Sequence, residues 1–305
     1  MDIAGSNMTV CNLVNIGPLE LEEGELTQFN GIVMSRDMII VVDYITRNVL
    51  FLRLHDQSIL ATHKLQSNPF GICLINDMEI CVILGDGKIV KLSLHYTDKT
   101  SIITTSSSLH VKGELDFYHG IVKFKDDVVI CGIRQGTIFW CIVSLHDGHV
   151  DTIHQICKGD AWSYLALKDN MVYISCAGFH SPDNGVYGYD IQNPSTHKYI
   201  YKHGELNYPS AITVDSNGFI FVCNYEYPQC IHHLTHKCEL FCIYRQGIPG
   251  FPLAIFWDQH HGHLCVTYWA SNLITRYRPE YQGSIIPMEI LRMDDKSVQL
   301  YIEAL

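Results

Sequence analysis

The amino-acid sequence predicts an all-β protein, a six-bladed β-propeller whose blades are four-stranded antiparallel sheets. A segment made of a small residue, an apolar alternation, a polar turn and a second apolar run recurs six times. The six copies begin at Gly31, Gly71, Gly120, Ser163, Ala211 and Ala254. Further short apolar runs follow each copy, and no ten-residue stretch has a convincing helical period. Four strands in a unit of roughly 45 residues are typical of a propeller blade.

The strands of each unit follow in a constant order. The first two are period-2 runs rich in Val, Ile, Phe and Tyr, separated by polar turns, and they lie within 31–43, 71–82, 120–131, 163–175, 211–224 and 254–266. A third strand is predicted at 49–52, 89–92, 138–141, 186–189, 231–234 and 273–277. A fourth is predicted at 59–64, 101–104, 150–153, 199–201 and 239–243, so the sixth unit lacks one.

The missing strand predicts how the ring closes. Arg278-Pro279-Glu280 follows the third strand of the sixth unit, whereas an orphan strand, 9–16, precedes the first unit. Pairing that N-terminal strand with the sixth unit covers two open sheet edges, which otherwise invite aggregation. The alternative closure uses 285–291. We expect one propeller domain over residues 8–283, with 284–305 as a C-terminal tail or extra hairpin.

Composition excludes several classes of protein. Of the 305 residues, 47% are hydrophobic and 17% are charged, and the formal net charge is −11. Such a chain is too apolar for intrinsic disorder and repels phosphate backbones on average. No stretch approaches the roughly eighteen apolar residues of a membrane span, and the first residues lack a secretory signal. We therefore expect a cytoplasmic protein with no membrane partner.

The cysteines predict reduced, buried thiols. Cys81, Cys131, Cys223 and Cys265 all fall on second strands. Equivalent positions in successive blades are at least roughly 10 Å apart, beyond the Cα separation of about 7 Å that a disulfide tolerates. Small apolar side chains between blades are the favoured interpretation, and a disulfide or metal set is the alternative.

The densest set of potential zinc ligands lies in one short segment: Cys230, His232, His233, His236, Cys238 and Cys242. Strand alternation puts His232 and His233 on opposite faces, so only one of them can join a given cluster. We therefore predict an outer hairpin with one buried face rather than a metal site. The run His260-His261-Gly262-His263 occupies a predicted turn and is expected to be a polar surface turn.

The fifth unit resembles a known repeat. Residues 209–224 read Pro-Ser-Ala-Ile-Thr-Val-Asp-Ser-Asn-Gly-Phe-Ile-Phe-Val-Cys-Asn. This is similar to the NHL repeat, roughly P-x-G-I-x-V-D-x-x-G-x-I-Y-V-x-D, and 29–32, 41–49 and 68–72 fit it in part. The resemblance covers about residues 8–280. NHL propellers typically form the C-terminal half of tripartite-motif (TRIM) proteins and bind either protein substrates for a RING ubiquitin ligase or RNA. The sequence has no RING or B-box array, so the resemblance implies ligase activity only outside this chain.

Enzyme and cofactor signals are weak. The sequence contains no Gly-x-Ser-x-Gly, no phosphate-binding loop and no His-Glu-x-x-His. Six-bladed propellers of the lactonase type hold calcium in the axial channel, and a hard cation needs about six oxygen ligands. At the ends of the second strands only Asp43 and Asn224 offer oxygen side chains. We predict no catalytic residue, no bound metal and no cofactor, and a metal-dependent lactonase-type hydrolase is the third-ranked interpretation.

An aromatic residue precedes the first strand of every unit: Phe29, Phe70, Tyr118, Trp162, Tyr208 and Phe251. The loops from second to third strands emerge on the same face and contribute Tyr44, Phe179, Tyr225, Tyr227 and Trp269. One interpretation is that the ring of aromatics caps the hydrophobic space between blades. The other is a partner-binding face, since aromatic residues dominate interface hot spots.

Charge near that face favours one class of partner. The acidic residues of the connectors are Glu20, Glu22, Glu23, Glu25, Glu114, Asp116, Asp160 and Glu205. The basic residues set against them are Lys88, Lys112, Lys158 and Arg134, with Arg47 and Arg245 nearby. A protein that binds RNA through its phosphate backbone needs an excess of Lys and Arg at the binding surface. We predict a protein-interaction propeller for a protein or peptide of basic character, and RNA binding is the alternative that charge disfavours.

Overall fold

The computed structural model describes residues 11–20, 27–54, 58–96, 102–113, 115–159, 162–178, 181–245, 247–271 and 273–281. Within these ranges the regular secondary structure is 24 β-strands. No helix that could cross a bilayer occurs among the residues that the structure describes.

The strands are short and follow one another at nearly even spacing. The first six are β1 (Cys11–Glu20), β2 (Phe29–Ser35), β3 (Met38–Asp43), β4 (Asn48–Arg53), β5 (Ile59–Lys64) and β6 (Pro69–Asn76). The next six are β7 (Glu79–Leu84), β8 (Lys88–Tyr96), β9 (Ile102–His110), β10 (Phe117–Phe124), β11 (Asp127–Arg134) and β12 (Thr137–Val143). Then come β13 (Val150–Lys158), β14 (Ser163–Lys168), β15 (Met171–Cys176), β16 (Gly185–Asp190), β17 (Tyr199–Tyr201) and β18 (Pro209–Val214). The last six are β19 (Ile220–Asn224), β20 (Cys230–Leu234), β21 (Leu240–Tyr244), β22 (Pro252–Asp258), β23 (His263–Tyr268) and β24 (Leu273–Tyr281).

Six four-stranded antiparallel sheets form the blades of a β-propeller. The first five contain consecutive strands, from β2–β5 to β18–β21, and the sixth has the order β1-β24-β23-β22. The innermost strands β2, β6, β10, β14, β18 and β22 contact one another in sequence, and β22 contacts β2 to complete the ring. The predicted six-bladed fold is therefore confirmed.

The ring is closed by the N-terminal strand. β1 pairs with β24 from Cys11 opposite Tyr281 to Glu20 opposite Leu273. The predicted closure is confirmed, although the strand extends beyond the predicted residue 16 and β24 continues through Pro279 to Tyr281. The alternative strand at 285–291 and the predicted tail, 284–305, lie outside the described residues.

The innermost strands pack tightly around the axis. Their central residues line a space of about 370 Å³ and include Ile32, Ile72, Ile121, Leu165, Ile212 and Ile255. Polar side chains such as Lys123, Thr213 and Asp258 also line this space. Close approach of neighbouring blades requires small residues, and a Cβ on Gly71 would lie 2.6 Å from the His119 carbonyl oxygen. The small residue at the start of the repeat is thus a packing requirement.

Hydroxyl and thiol groups on the first or second strand of a blade reach the innermost strand of the next blade. Four side chains donate hydrogen bonds to a carbonyl of the next blade: Cys131 to Ser163 (3.2 Å), Ser175 to Ser210 (2.5 Å), Ser210 to Pro252 (2.9 Å) and Thr267 to Phe29 (2.7 Å). The last of these joins the sixth blade to the first. Each bond satisfies a polar atom in the space between blades, where an unpaired polar group is costly.

The cysteines are buried thiols, in agreement with the sequence analysis. The eleven cysteines whose side chains the structure describes are all buried and free. Burial raises the pKa of the Cys81, Cys131 and Cys265 thiols to about 12. These groups are therefore neutral at physiological pH and pack as small apolar side chains.

Deleting residues 1–20 tests the closure. The deletion removes eight paired positions from β24. Losing several net hydrogen bonds and their packing lowers stability by about 4 kcal/mol or more, which corresponds to a fall in Tm of roughly 10 °C. The exposed edge of β24 also promotes association. Thermal melting and light scattering after size exclusion measure both effects.

The matched control deletes residues 284–305 and should leave Tm unchanged. A loss of stability in the tail deletion, with none in the N-terminal deletion, would contradict closure by β1.

Candidate functional site

One face of the ring is built from the connectors into the first strands and the loops between the second and third strands; we call it the loop face. Connector and loop are joined by backbone hydrogen bonds, as in Tyr44 to Gln28 and Tyr225 to Tyr208, both 2.9 Å. Trp269 and Phe251 are joined in the same way. The shared face expected from the blade topology is therefore present.

A cavity of about 520 Å³ opens at the centre of the loop face. Its lining residues are mostly aromatic and come from all six blades; we call it the aromatic cavity. They are Gln28, Asn30, Tyr44, Phe70, Phe117, His119, Ile133, Trp162, Tyr208, Tyr225, Glu226 and Trp269. This volume is in the range of small-molecule and side-chain binding sites.

Blades four to six supply the larger wall of the cavity, the tryptophan wall, which consists of Trp162, Tyr208, Tyr225 and Trp269. Trp162 stacks on Trp269 with ring centroids 5.5 Å apart and an interplanar angle of 27°. Tyr225 meets both tryptophans edge-on, at 5.6 Å and 5.9 Å. Tyr208 is buried against Trp162 at 6.1 Å. Each ring holds its neighbours in place, so the wall is fixed before any partner arrives.

Blades one to three supply the facing wall, the phenylalanine wall, which consists of Tyr44, Phe70 and His119. Phe70 lies 5.2 Å from Tyr44 and 5.2 Å from His119, measured between ring centroids. In a six-bladed ring these three blades lie across the axis from blades four to six. The cavity is therefore flanked by aromatic rings on two sides.

Few polar groups reach the cavity. The buried amides of Gln28 and Asn30 bind each other, with Nε2 of Gln28 donating to Oδ1 of Asn30 at 2.8 Å. Nδ1 of the buried His119 has no hydrogen-bond partner in the described part of the chain. Burial lowers the pKa of His119 to about 4, so its ring is neutral at physiological pH.

Glu226 is the one carboxylate among the described residues that line the cavity, and none of them is Lys or Arg. It also lines a second, more open cleft of about 730 Å³ between blades four and five, which we call the side cleft. The other residues of the side cleft are Ser181, Pro182, Asn184, Lys202, His203, Gly204, Leu206 and Asn207. Glu226 therefore lines both recesses.

Asp43 and Asn224 hold the loop face in shape. Oδ1 of Asp43 accepts hydrogen bonds from the backbone N–H of Gln28 (3.0 Å) and of Ile45 (3.1 Å). Asn224 does the same in blade five, where its Oδ1 accepts from the backbone N–H of Asn207 at 2.9 Å. Both side chains are fully buried. The two residues considered above as calcium ligands thus bind the connector to the loop.

Of the eleven aromatic residues named in the sequence analysis, nine were predicted to form the partner-binding face, that is, all except Phe29 and Phe179. The structure brings six of these nine together: Tyr44, Phe70, Trp162, Tyr208, Tyr225 and Trp269. Phe251 packs on Tyr225 at 5.3 Å, outside the lining, and is 43% exposed. Tyr227 also lies outside the lining and is 81% exposed. Tyr118 is buried between blades, where its hydroxyl donates to the Gly113 carbonyl at 3.0 Å. Phe179 falls outside the described residues.

Sequence reasoning missed Gln28, Asn30, Phe117, His119, Ile133 and Glu226. For Gln28, Asn30, Phe117 and His119 the cause is an irregularity in register where the first strand begins, whereas Ile133 lies near the end of a second strand and Glu226 lies in the following loop of blade five. The irregularity lies between Phe29 and Gly31 in blade one and between Tyr118 and Gly120 in blade three. A one-residue shift exchanges the two sides of a strand, so Phe29 and Tyr118 turn into the core while their neighbours face the axis. Strict alternation from the anchors cannot reveal this shift.

The cysteine–histidine segment forms the outer hairpin β20–β21, as expected, but both histidines are buried rather than one. His232 Nδ1 lies 2.8 Å from the Tyr201 hydroxyl, and His233 Nδ1 lies 3.1 Å from the Tyr244 hydroxyl. Both faces are covered because a propeller blade packs against a neighbour on each side. The described residues contain no group of three or more His, Cys, Asp or Glu side chains placed to share a metal ion.

The charges around the loop face are partly paired. Arg245 forms an ion pair with Glu205, and Lys112 lies 3.8 Å from Asp147. Asp116 accepts a hydrogen bond from the Gln135 backbone at 2.7 Å. Several of the acidic connector residues, including Glu114 and Asp160, lie outside the described residues. In the described part of the face, carboxylates are thus interspersed with partnered cations.

Comparison with known proteins identifies the fold. The sequence matches no protein-family model and no curated protein. Among solved structures it is similar to a luciferin-regenerating enzyme, with a TM-score of 0.64 and 14% identity over 88% of this chain and 96% of that chain. It is also similar to the Cps50 (Swd1) β-propeller domain of Myceliophteria thermophila, with a TM-score of 0.57 and 11% identity over 81% of this chain and 82% of that chain. At these identities the likeness shows the propeller fold alone.

Buried neutral histidines make stability depend on pH. Burial lowers the pKa of His232 and His233 to about 3 and of His119 to about 4. Below about pH 6.5 the unfolded chain binds protons at these histidines that the folded chain does not, so the free energy of unfolding falls. Asp215 opposes this fall in the free energy of unfolding. Burial raises its pKa to about 6, so as the pH is lowered Asp215 is protonated in the folded chain before it is protonated in the unfolded chain.

Near pH 5 these four groups together give the unfolded state a net excess of about two bound protons. We therefore expect the free energy of unfolding to fall by about 2.7 kcal/mol for each unit by which the pH is lowered. Urea unfolding between pH 7.5 and 4.5 measures the slope. His233→Phe should reduce it by about 1.4 kcal/mol per pH unit, whereas His260→Phe, at an exposed position, should not. A slope that His233→Phe leaves intact would show that burial of this histidine does not govern the pH response.

Proposed function

We propose that this chain is a protein-interaction propeller that binds a basic segment of a partner protein on its loop face. The aromatic cavity is the observation that carries the proposal. Fixed aromatic walls on a rigid scaffold supply large contact area at low conformational cost, and binding sites are disproportionately carried by loops on such scaffolds.

Exposed aromatic residues around the cavity extend the contact surface. Phe117 is 56% exposed, Phe251 43% and Tyr227 81%. Apolar side chains that are exposed together on one face are more indicative of an interaction site than singly exposed ones. Interface hot spots lie in well-packed central pockets and are enriched in Trp and Tyr.

Charge supports a basic partner over a nucleic acid. Glu226 is the ionised group among the described lining residues, and the chain carries a net charge of −11. A phosphate backbone would meet this carboxylate without compensating Lys or Arg in the cavity. A cationic side chain gains from both the carboxylate and the aromatic faces.

The proposal places no catalysis in this chain. The described lining residues include no Ser, Cys or Lys that could act as a nucleophile beside a base. The oxygen-bearing side chains Asp43 and Asn224 are engaged by backbone N–H groups of the connectors. The luciferin-regenerating enzyme shares the propeller fold with this chain, and the proposal draws on that likeness for the fold alone.

The finer assignment is an NHL-like propeller that captures substrates for a TRIM-type ubiquitin ligase. It is supported by the NHL pattern of residues 209–224, whose final Asn224 binds the connector. It is also supported by Asp43, which holds the same position and hydrogen bonds in blade one. Any ligase activity in this assignment belongs to a RING domain outside the chain.

Selection from a random twelve-residue peptide display library tests the interaction. We expect the selected peptides to be enriched in Lys and Arg, and Trp269→Ala or Glu226→Gln to weaken their binding about tenfold. The matched controls are Glu239→Gln in the β20–β21 turn and Leu240→Ala at the start of β21, both at the opposite end of the blade. Calorimetry with the enriched peptides measures the affinities.

Peptides without basic enrichment, or binding that both cavity variants leave unchanged, would contradict the proposal. Binding of a single-stranded oligouridine with a steep salt dependence, abolished by Trp269→Ala, would instead favour RNA.

A further inference from the structure

We propose that the aromatic cavity is a receptor for a methylated ammonium group, carried as a methyllysine side chain by the partner. The inference rests on the proposed function and specifies the group that enters the cavity. Three features of the cavity support it: its two aromatic walls, its single carboxylate and its shortage of hydrogen-bond acceptors.

The two walls suit a cation that has no preferred hydrogen-bonding direction. A cation near an aromatic face is attracted by the ring quadrupole, most strongly to tryptophan. Trp162 and Trp269 are both in the tryptophan wall, and Phe70 and Tyr44 lie across the axis. A methylated ammonium contacts rings through its methyl groups and can therefore be flanked on both sides.

The polar groups of the cavity suit such a cation better than an unmodified lysine or arginine. A lysine ammonium has three N–H donors and a guanidinium has five, and each needs an acceptor when buried. Oδ1 of Asn30 already accepts from Gln28, and the Glu226 carboxylate is the one charged acceptor among the described lining residues. Methylation removes donors and keeps the positive charge, so fewer groups are left unsatisfied.

His119 adds an independent indication of a ligand. Its ring lines the cavity, its side chain is almost wholly buried, and its Nδ1 has no hydrogen-bond partner among the described residues. A protonated imidazole here would repel a cation. Because burial keeps this ring neutral, it presents an uncharged aromatic face instead.

The side cleft provides a path for the residues that flank the methyllysine. It meets the aromatic cavity at Glu226 and is lined by the hydrogen-bonding side chains of Asn184 and Asn207. An extended segment lying in the cleft can direct one side chain past Glu226 and between the two walls. This arrangement predicts that both the modified side chain and its sequence neighbours contribute to affinity.

The test uses four forms of one basic peptide selected as above, which differ at a single lysine position. The position carries lysine, trimethyllysine, arginine or the neutral isostere of trimethyllysine in which carbon replaces the ammonium nitrogen. We expect trimethyllysine to bind about tenfold more tightly than each of the other three by calorimetry. Tetramethylammonium should compete with the trimethyllysine peptide and change the fluorescence of Trp162 and Trp269.

Two variants tie the preference to the cavity. Trp269→Leu keeps an apolar side chain but lacks the ring, and Glu226→Gln lacks the charge; each should reduce the trimethyllysine preference to about threefold or less. Leu240→Ala, at the opposite end of blade five, should preserve it, and a melting curve confirms that each variant is folded.

The result that overturns the inference is equal or tighter binding of the neutral isostere, the unmodified lysine or the arginine peptide. Those outcomes leave the proposed basic-peptide interaction standing. If Trp269→Leu and Glu226→Gln change the affinity of none of the four peptides, the result counts against both the basic-peptide interaction and the methyllysine receptor.

Discussion

The architecture depends on backbone pairing between the two ends of the propeller domain. Three strands of the sixth blade come from one end of the described chain, and the fourth, β1, comes from the other. Without that pairing β24 has an open edge. The sixth blade is then held in the ring only by its packing against blades one and five. With it, β22 is held against β2, and the hydroxyl of Thr267 in the sixth blade reaches the Phe29 carbonyl in the first. A closed ring then fixes six connectors and six loops around one axis.

The aromatic cavity follows from that ring and from a few buried polar side chains. Asp43 and Asn224 bind the connectors to the loops, which fixes Tyr44 in the phenylalanine wall and Tyr225 in the tryptophan wall. The rings of the tryptophan wall then support one another. Because the walls are held by packing and hydrogen bonds rather than by a bound molecule, the cavity is organised in advance, which lowers the entropic cost of binding.

Repetition made the fold predictable, and local irregularity limited the prediction of the site. Six copies of one strand pattern were sufficient to predict the number of blades. The absence of a fourth strand from the sixth copy was sufficient to predict closure by the N-terminal strand. Loop aromatics such as Tyr44 and Trp269 could be placed on the right face by topology alone. His119 and Gln28 could not, because a register shift at the start of the first strand reverses which neighbour faces the axis. The burial of both His232 and His233 likewise depends on two flanking blades, which alternation within one hairpin does not describe.

A site-specific disulfide tests the closure most directly. Cys11 lies directly opposite Tyr281 in the β1–β24 register, and antiparallel partners have Cα atoms about 4.5–5.5 Å apart, within disulfide range. In a Tyr281→Cys variant oxidised with glutathione, peptide mapping should find Cys11 linked to the cysteine introduced at position 281. Glu280→Cys, on the opposite face of β24, should give no such link. A folded Tyr281→Cys protein without the link, or a link formed only by Glu280→Cys, would contradict the closed ring described above.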